Sequence, residues 1–298
     1  MKLCKPLFEI WEQSAGLEGV YKQIEKVSRV CYKSEDKITE DSAKPFVDRM
    51  IKSGHGAMLE HGTVYLKITY KDTDFTTLCM FYGKNKYSVL NHSEDNKIYY
   101  ITTNYRVLVE NNHLSDLKYL CEPSEFHERR VAVHFVCDRG VSHEFVRHRV
   151  MSFAQESTRY CNYSKDKFGN ELTFIIPCWL DIPTGQYVYW DGDWCDIDKM
   201  KIQLPEGEHK GIDAFLWTLN NAETHYTLLI NSGWKPQEAR AILPNSLKTE
   251  LVVTGFTSDW EHFFGLRAIG TTGAPHPQAK ELAEPLMKEF IARKYINN

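Results

Sequence analysis

The sequence contains no run of about eighteen apolar residues, the length needed to cross a bilayer, so no membrane span is expected. It also lacks a basic stretch leading into an apolar segment near its start, and a cytoplasmic location is therefore expected. The eight cysteines, Cys4, Cys31, Cys79, Cys121, Cys137, Cys161, Cys178 and Cys195, include no C-x-x-C pair. They read as reduced thiols, not as a disulfide framework. Positive charge is not in excess: 36 Lys and Arg face 40 Asp and Glu, a net charge of −4. Bulk attraction to a nucleic acid polymer is excluded, and any anion recognised must be held by a local group. There is no G-x-G-x-x-G and no Walker loop, which removes the Rossmann and P-loop routes to a nucleotide. Without a G-x-S-x-G elbow, Ser157 is not a serine-hydrolase nucleophile. His143 and His148 flank Glu144 but stand five residues apart, about 140° of helical rotation, so they do not form the zinc pair of H-E-x-x-H. Asp191, Asp193, Asp196 and Asp198 lack the glycine and closing glutamate of a calcium loop. No metal site is expected.

What is present is an ordinary globular composition, 42% hydrophobic and 26% charged, in a chain long enough for one large domain or two. No internal repeat or low-complexity linker divides it. Apolar residues recur at helical spacing over 17–30, 42–51 and 212–230, with a short helix beginning at Pro236, where proline suits the first turn. Residues 64–69 alternate as a half-buried strand, and 76–82 and 97–109 look strand-like on either side of the polar stretch 91–96. Residues 131–137 form an apolar strand that passes through Gly140 into a helix bearing Phe145, Arg147 and His148. A further strand covers 251–254, and 275–296 reads as a surface helix. Strands and helices are mixed without strict alternation, which points to an α+β fold with a mixed sheet flanked by helices.

The densest chemistry lies in residues 147–160, where Arg147, Arg149 and Arg159, three of the twelve arginines, are interleaved with His148, Ser152, Gln155, Glu156, Ser157 and Thr158. Guanidinium forks match phosphate oxygens and the edge of a planar ring as lysine does not. Nearby hydroxyls and backbone N–H groups can complete an anion cradle. The alternative is a solvated charged face. Apolar flanks at Phe145, Val146, Val150, Met151 and Phe153 argue for partial burial and a need for partners.

Arg147-His148-Arg149 followed after seven residues by Ser157 resembles the signature of the flavin-dependent thymidylate synthases. Three more blocks occur in that family's order: Leu59-Glu60-His61-Gly62-Thr63, then Glu238-Ala239-Arg240-Ala241-Ile242-Leu243-Pro244, then His262-Phe263-Phe264-Gly265-Leu266-Arg267. Together they span roughly residues 20 to 285. The resemblance implies a single domain over 1–298, with 71–130 as a β-rich insertion. It implies reductive methylation of dUMP to dTMP, with FAD as cofactor and NADPH and methylene-tetrahydrofolate as co-substrates. It also implies a homotetramer with sites between subunits.

By the same resemblance, Arg267 favours the ionised pyrimidine, as a fork beside developing negative charge would. Glu144, Arg147, Gln155, Glu156, Ser157, Thr158 and Arg159 hold dUMP, joined by Arg240 from a neighbouring subunit. His61, Thr63, Arg147, His148, Arg149, Gln155 and His262 fall where the family contacts flavin. Ser157 has no evident base beside it and is assigned to binding. Phe256 and Ser258 stand where an Asn and an Arg are common against the flavin. Ala154-Gln155 replaces a common Asn-Glu, and Cys31 stands where a serine is expected. The alternatives are a relative acting on another pyrimidine nucleotide and a non-catalytic nucleotide- or RNA-binding protein that has lost flavin.

Overall fold

The computed structural model describes residues 1–95, 97–165, 171–204 and 209–297. Its strands in chain order are β1 (Lys2–Cys4), β2 (Leu7–Trp11), β3 (Thr63–Thr69), β4 (Val89–Ser93), β5 (Ile98–Asn104), β6 (Arg130–Asp138), β7 (Ser152–Gln155), β8 (Thr173–Ile175), β9 (Gly185–Trp190), β10 (Asp193–Asp196) and β11 (Lys248–Phe256). Its helices are α1 (Gly16–Tyr32), α2 (Ala43–Lys52), α3 (Gly56–Leu59), α4 (Phe75–Leu78), α5 (Tyr105–Glu110), α6 (Arg139–Phe145), α7 (His209–Asn231), α8 (Pro236–Ala239), α9 (Thr257–Phe264) and α10 (Pro277–Ala292).

Strand β11 organises the sheet that carries the site. It pairs antiparallel with β6 along its whole length, from Lys248 opposite Asp138 to Phe256 opposite Arg130. Its other edge takes β7, and β2 closes the far side of β6, giving the order β2-β6-β11-β7. Because side chains alternate along a strand, Val131, Val133 and Phe135 of β6 and Leu251 and Val253 of β11 enter one core with Trp260, Phe263 and the α10 residues Leu282, Leu286 and Phe290. Ala132 and Val252, with Ala154 of β7, turn to the opposite face and meet Val27 and Val30 of α1. Helices therefore cover both faces. Each fully buried Val, Leu or Phe contributes about 1.5–3 kcal/mol to holding them there.

The expected mixed sheet is a second one, β10-β9-β1-β8, in which only β1 and β8 run parallel. It shares a core with Ile212, Leu216, Leu219 and Tyr226 of α7. The third sheet, β3-β5-β4, is antiparallel and packs with α1 and α2. The fold is α+β.

Several local expectations are corrected. Residues 76–82 are not a strand: Asp74 caps α4 by accepting from the Thr77 N–H at 2.9 Å, and the chain continues into a π turn, Cys79–Gly83. The segment 97–109 is strand only to Asn104, whose side chain accepts from the Val107 N–H and starts α5. Part of the polar stretch 91–96 is strand β4, and Asn96 lies outside the described residues. Helix α6 ends at Phe145, so Arg147 and His148 occupy the following turn. Helix α10 is not a surface helix, since Ala279, Leu282, Ala283, Leu286 and Phe290 are buried.

Candidate functional site

Helix α6 begins where Asp138, the last residue of β6, accepts from the Val141 N–H at 2.7 Å, a side-chain cap that ends the strand and starts the helix. One turn on, Glu144 faces the π turn Gly265–Ile269 that follows α9. Arg267 in that turn donates from Nη1 to the Glu144 carboxylate at 2.6 Å and from Nη2 to the Glu144 carbonyl at 2.8 Å. Its Nε lies 3.3 Å from His148 Nε2. The guanidinium flanked by Phe263, Phe264 and Leu266 thus has the anionic partner its surroundings require. His148 is buried between this fork and His262, the two imidazoles 5.7 Å apart. Burial, then the charges of Arg267 and His262, lower His148 to about 4, so it stays neutral near pH 7.

A second group is built on the loop after β7. Glu156 is buried; it accepts from the Tyr163 hydroxyl at 2.8 Å and pairs with Lys248 at 3.0 Å. Lys248 also pairs with Glu250, which takes Lys33 at 2.7 Å and His134 at 3.0 Å. Burial pushes the Glu250 carboxyl up, but His134, Lys248 and Lys33 outweigh it and hold the group well below the usual range. The Ser157 N–H donates to the Cys31 carbonyl, fastening the loop to the end of α1. Burial pushes the Cys31 thiol up to about 11, so cysteine here is an un-ionised packing residue. Arg240 donates to Thr158 of its own chain at 3.2 Å, and Arg159 reaches Gln237 at 3.3 Å. Gln155 points toward α6, donating to Ser142 and Thr249. No hydrogen bond among the described residues joins Arg267, Glu144 or His148 to Ser157, Thr158, Arg159 or Arg240.

Arg147, Arg149 and Arg159 are exposed, and among the described residues the Arg147 side chain bonds only the His143 carbonyl, at 3.3 Å. Val150 is exposed as well, so the argument from apolar flanks holds for Phe145 and Met151 and fails at Val150. The forks are presented to solvent.

The third group centres on His61 and Thr63. Gly62 lets them lie against α1: a Cβ there would stand 2.7 Å from Ile24 and 2.8 Å from Val20. Gln13 exchanges hydrogen bonds with the N–H and C=O of Thr63, as a neighbouring strand would. His61 Nδ1 contacts Thr254 at 2.8 Å, while its buried Nε2 has no partner among the described residues. Burial, then Arg130, lowers His61 to about 3. Arg130 is the residue sequence reasoning missed. It lies 5.4 Å over the Phe256 ring, its register partner, and donates to the Glu60 carbonyl, Thr63 and Ser152. The only signal was the pair Arg129-Arg130 entering a buried strand. Ser258 is engaged through both its N–H and its hydroxyl by Glu128.

Exposed arginine forks and buried neutral imidazoles stand at the margins of an antiparallel sheet in an α+β protein. The sequence profile of the thymidylate synthase complementing protein family matches residues 77–293, and the chain belongs to that family. It is similar to the flavin-dependent thymidylate synthase of Pyrococcus furiosus, with 31% identity over 160 residues, 54% of this chain and 53% of that protein. A protein of the same name from Geobacter sulfurreducens is 28% identical over 129 residues, 43% of each chain. The chain spans about half the length of the curated relatives it matches. Among solved structures, a UMP/dUMP methylase PolB from Streptomyces cacaoi bound with 5-Br dUMP aligns over 98% of this chain and 93% of that one, with 17% identity and a TM-score of 0.44. Among the described residues, no helix is long and apolar enough to cross a membrane.

Proposed function

We propose that this chain converts dUMP to dTMP by reductive methylation. In that reaction methylene-tetrahydrofolate gives its one-carbon unit to C5 of the pyrimidine, and a hydride from reduced FAD, regenerated by NADPH, completes the methyl group. The observation that carries the proposal is the fixed fork of Arg267. C5 becomes nucleophilic when negative charge is stabilised along the N3 and carbonyl edge of the ring, and a preorganised guanidinium supplies that stabilisation. Its bonds to Glu144 and the neutral His148 set its direction before substrate arrives. Arg147, Arg159 and Arg240, with Ser157 and Thr158, then hold the nucleotide and its phosphate, while Gln155 and Glu156 shape the loop.

The residues present fit a flavin dinucleotide. His61 Nε2 and Arg130 Nε are buried nitrogens without partners among the described residues, and both residues line one cavity walled by Trp11. His61 and Thr63 would hold one part of the flavin; His148, Arg149 and His262 another. Phe256 contributes apolar packing behind Arg130 and not a polar contact. When bound, the flavin supplies the hydride.

We further propose one domain over 1–298, with 71–130 as an insertion, in a cytoplasmic homotetramer. That Arg267 bonds Glu144 and His148 while Arg240 bonds Thr158, with no hydrogen bond between the two groups among the described residues, supports sites built from two copies, one supplying each group. A visible absorption spectrum of the purified protein and an assay of dTMP formation test the function. An oxidised-flavin spectrum together with folate-dependent dTMP is expected; a colourless protein that neither binds added FAD nor forms dTMP would sink the reading.

A further inference from the structure

Arg130 opens strand β6 as one of two successive arginines, yet its guanidinium has only neutral acceptors: the Glu60 carbonyl at 3.0 Å, Thr63 at 3.3 Å and Ser152 at 3.4 Å. Among the described residues no carboxylate lies within 4.0 Å of it, and its buried Nε has no partner. A half-buried cation with no carboxylate in contact is costly. Burial draws this guanidinium down to about 10, and the charges of Tyr65, Glu60 and Asp259 offset only part of that; Glu60 is itself paired with Arg106 at 2.6 Å and Asp259 accepts the Phe256 N–H. The carboxylates along the same cavity are occupied elsewhere: Glu12 takes Arg293 at 3.0 Å and the Tyr295 hydroxyl at 2.6 Å, and Glu122 accepts the Gly16 N–H.

The cavity measures about 210 Å³ and is enclosed by the connection between β2 and α1, the start of β6, and the His61–Gly62–Thr63 turn. That is smaller than the roughly 300 Å³ at which sites for whole small molecules begin, so it suits one charged part of a larger ligand. His61 is fully buried, lines the same space, and leaves Nε2 without a partner among the described residues. Nothing in the chemistry assigned to Arg267 or to the arginine loop uses Arg130.

We propose that this cavity receives the pyrophosphate of the flavin dinucleotide, with Arg130 supplying the counter-charge and His61 a further hydrogen bond. The inference rests on the flavin reading above. In oxidised FAD the pyrophosphate is the only charged part, so it alone can neutralise this half-buried guanidinium, whose Nε is buried, when cofactor first binds. Ser258 does not need to be an arginine for this, because the cation is delivered from the adjacent strand at the register position of Phe256.

The test is a fluorescence-quenching titration of flavin-free protein with FAD and with riboflavin, which has no phosphate. In Arg130→Gln, FAD binding should weaken about 10- to 100-fold, the loss of a charge-assisted contact, while riboflavin binding changes by less than about twofold. Arg130→Lys should lie between, and inorganic pyrophosphate should compete with FAD for the wild-type protein. Equal weakening of both flavins, or unchanged FAD binding in Arg130→Gln, would overturn the assignment and leave the flavin reading standing. Wild-type protein that binds neither flavin would overturn both. Should Arg130→Gln fail to fold, pyrophosphate competition in the wild type decides, and its absence overturns the proposal.

Discussion

Arg267 is held by three contacts to two residues, and a lysine in its place has one nitrogen with which to replace them. Under the proposed function, Arg267→Ala and Arg267→Lys should each lower the rate of dTMP formation by about 10² to 10³, the usual loss when one charge-stabilising donor is removed. Circular dichroism should show the fold retained. Near wild-type rates in either variant would remove Arg267 from the chemistry. His148 supports a prediction independent of function. Its folded value of about 4 lies below the ordinary 6.5, so its contribution to stability is complete above pH 6.5 and is lost as the pH falls from there toward 4. The wild-type protein should therefore exceed His148→Asn in melting temperature most clearly near neutrality, and the gap should narrow on acidification through that window. A gap that widened would show that the imidazole is held as the cation.

At the scale of elements, the join between α1, β11 and the signature loop is ionic. Lys33, in a left-handed conformation (φ 48°) that ends α1, reaches Glu250 on β11, and Lys248 bridges Glu250 to Glu156. Glu250 retains Lys33 and His134 if Lys248 is lost, but buried Glu156 would keep only the Tyr163 hydroxyl among these partners. Lys248→Met should therefore cost about 3–5 kcal/mol in denaturant unfolding, and adding Glu156→Gln should recover much of it. No recovery in the double variant would mean that Lys248 acts through packing of its stem. These ties also show what was legible beforehand. Helices α1, α2 and α7 announce themselves because long amphipathic faces repeat many times. Residues 76–82 misled because β-branched and aromatic residues favour strand, while the opposing signal was a single cap, Asp74. Asn104 concealed the end of β5 in the same way. The partners of Glu250 come from residues 33, 134 and 248, and nothing short of the folded sheet brings them together.

At the scale of the molecule, the four motif blocks gave a family and a set of residues but not their grouping. Spacing placed Arg147 and Ser157 in one segment; folding sends Glu144 to Arg267 and Thr158 to Arg240. Arg130 stayed hidden because its importance lies in a register pairing with Phe256, which depends on how β6 and β11 align. If each site draws one group from each of two copies, inactive Arg267→Ala and inactive Arg240→Ala proteins should regain partial dTMP synthesis when their subunits exchange. A mixed assembly would contain some sites with neither lesion. Persistent inactivity with exchange verified by mass would place both arginines in one copy's site.

The π turn at Gly265–Ile269 has a consequence for how this chain tolerates change in length. A π turn accommodates one residue more than the α-helix it interrupts, and here it closes at Gly270, in a left-handed conformation (φ 82°). Removing one residue from it ahead of the arginine, Leu266 for instance, would allow α9 to continue as regular helix, with every side chain that bonds Arg267 still present. The position following the deletion would be rotated by about 100° and drawn in by about 1.5 Å, carrying its contacts out of line. The direction of the guanidinium is thus encoded by a count of residues as much as by their kind, and a one-codon loss should silence the site in a protein that unfolds almost as the parent does.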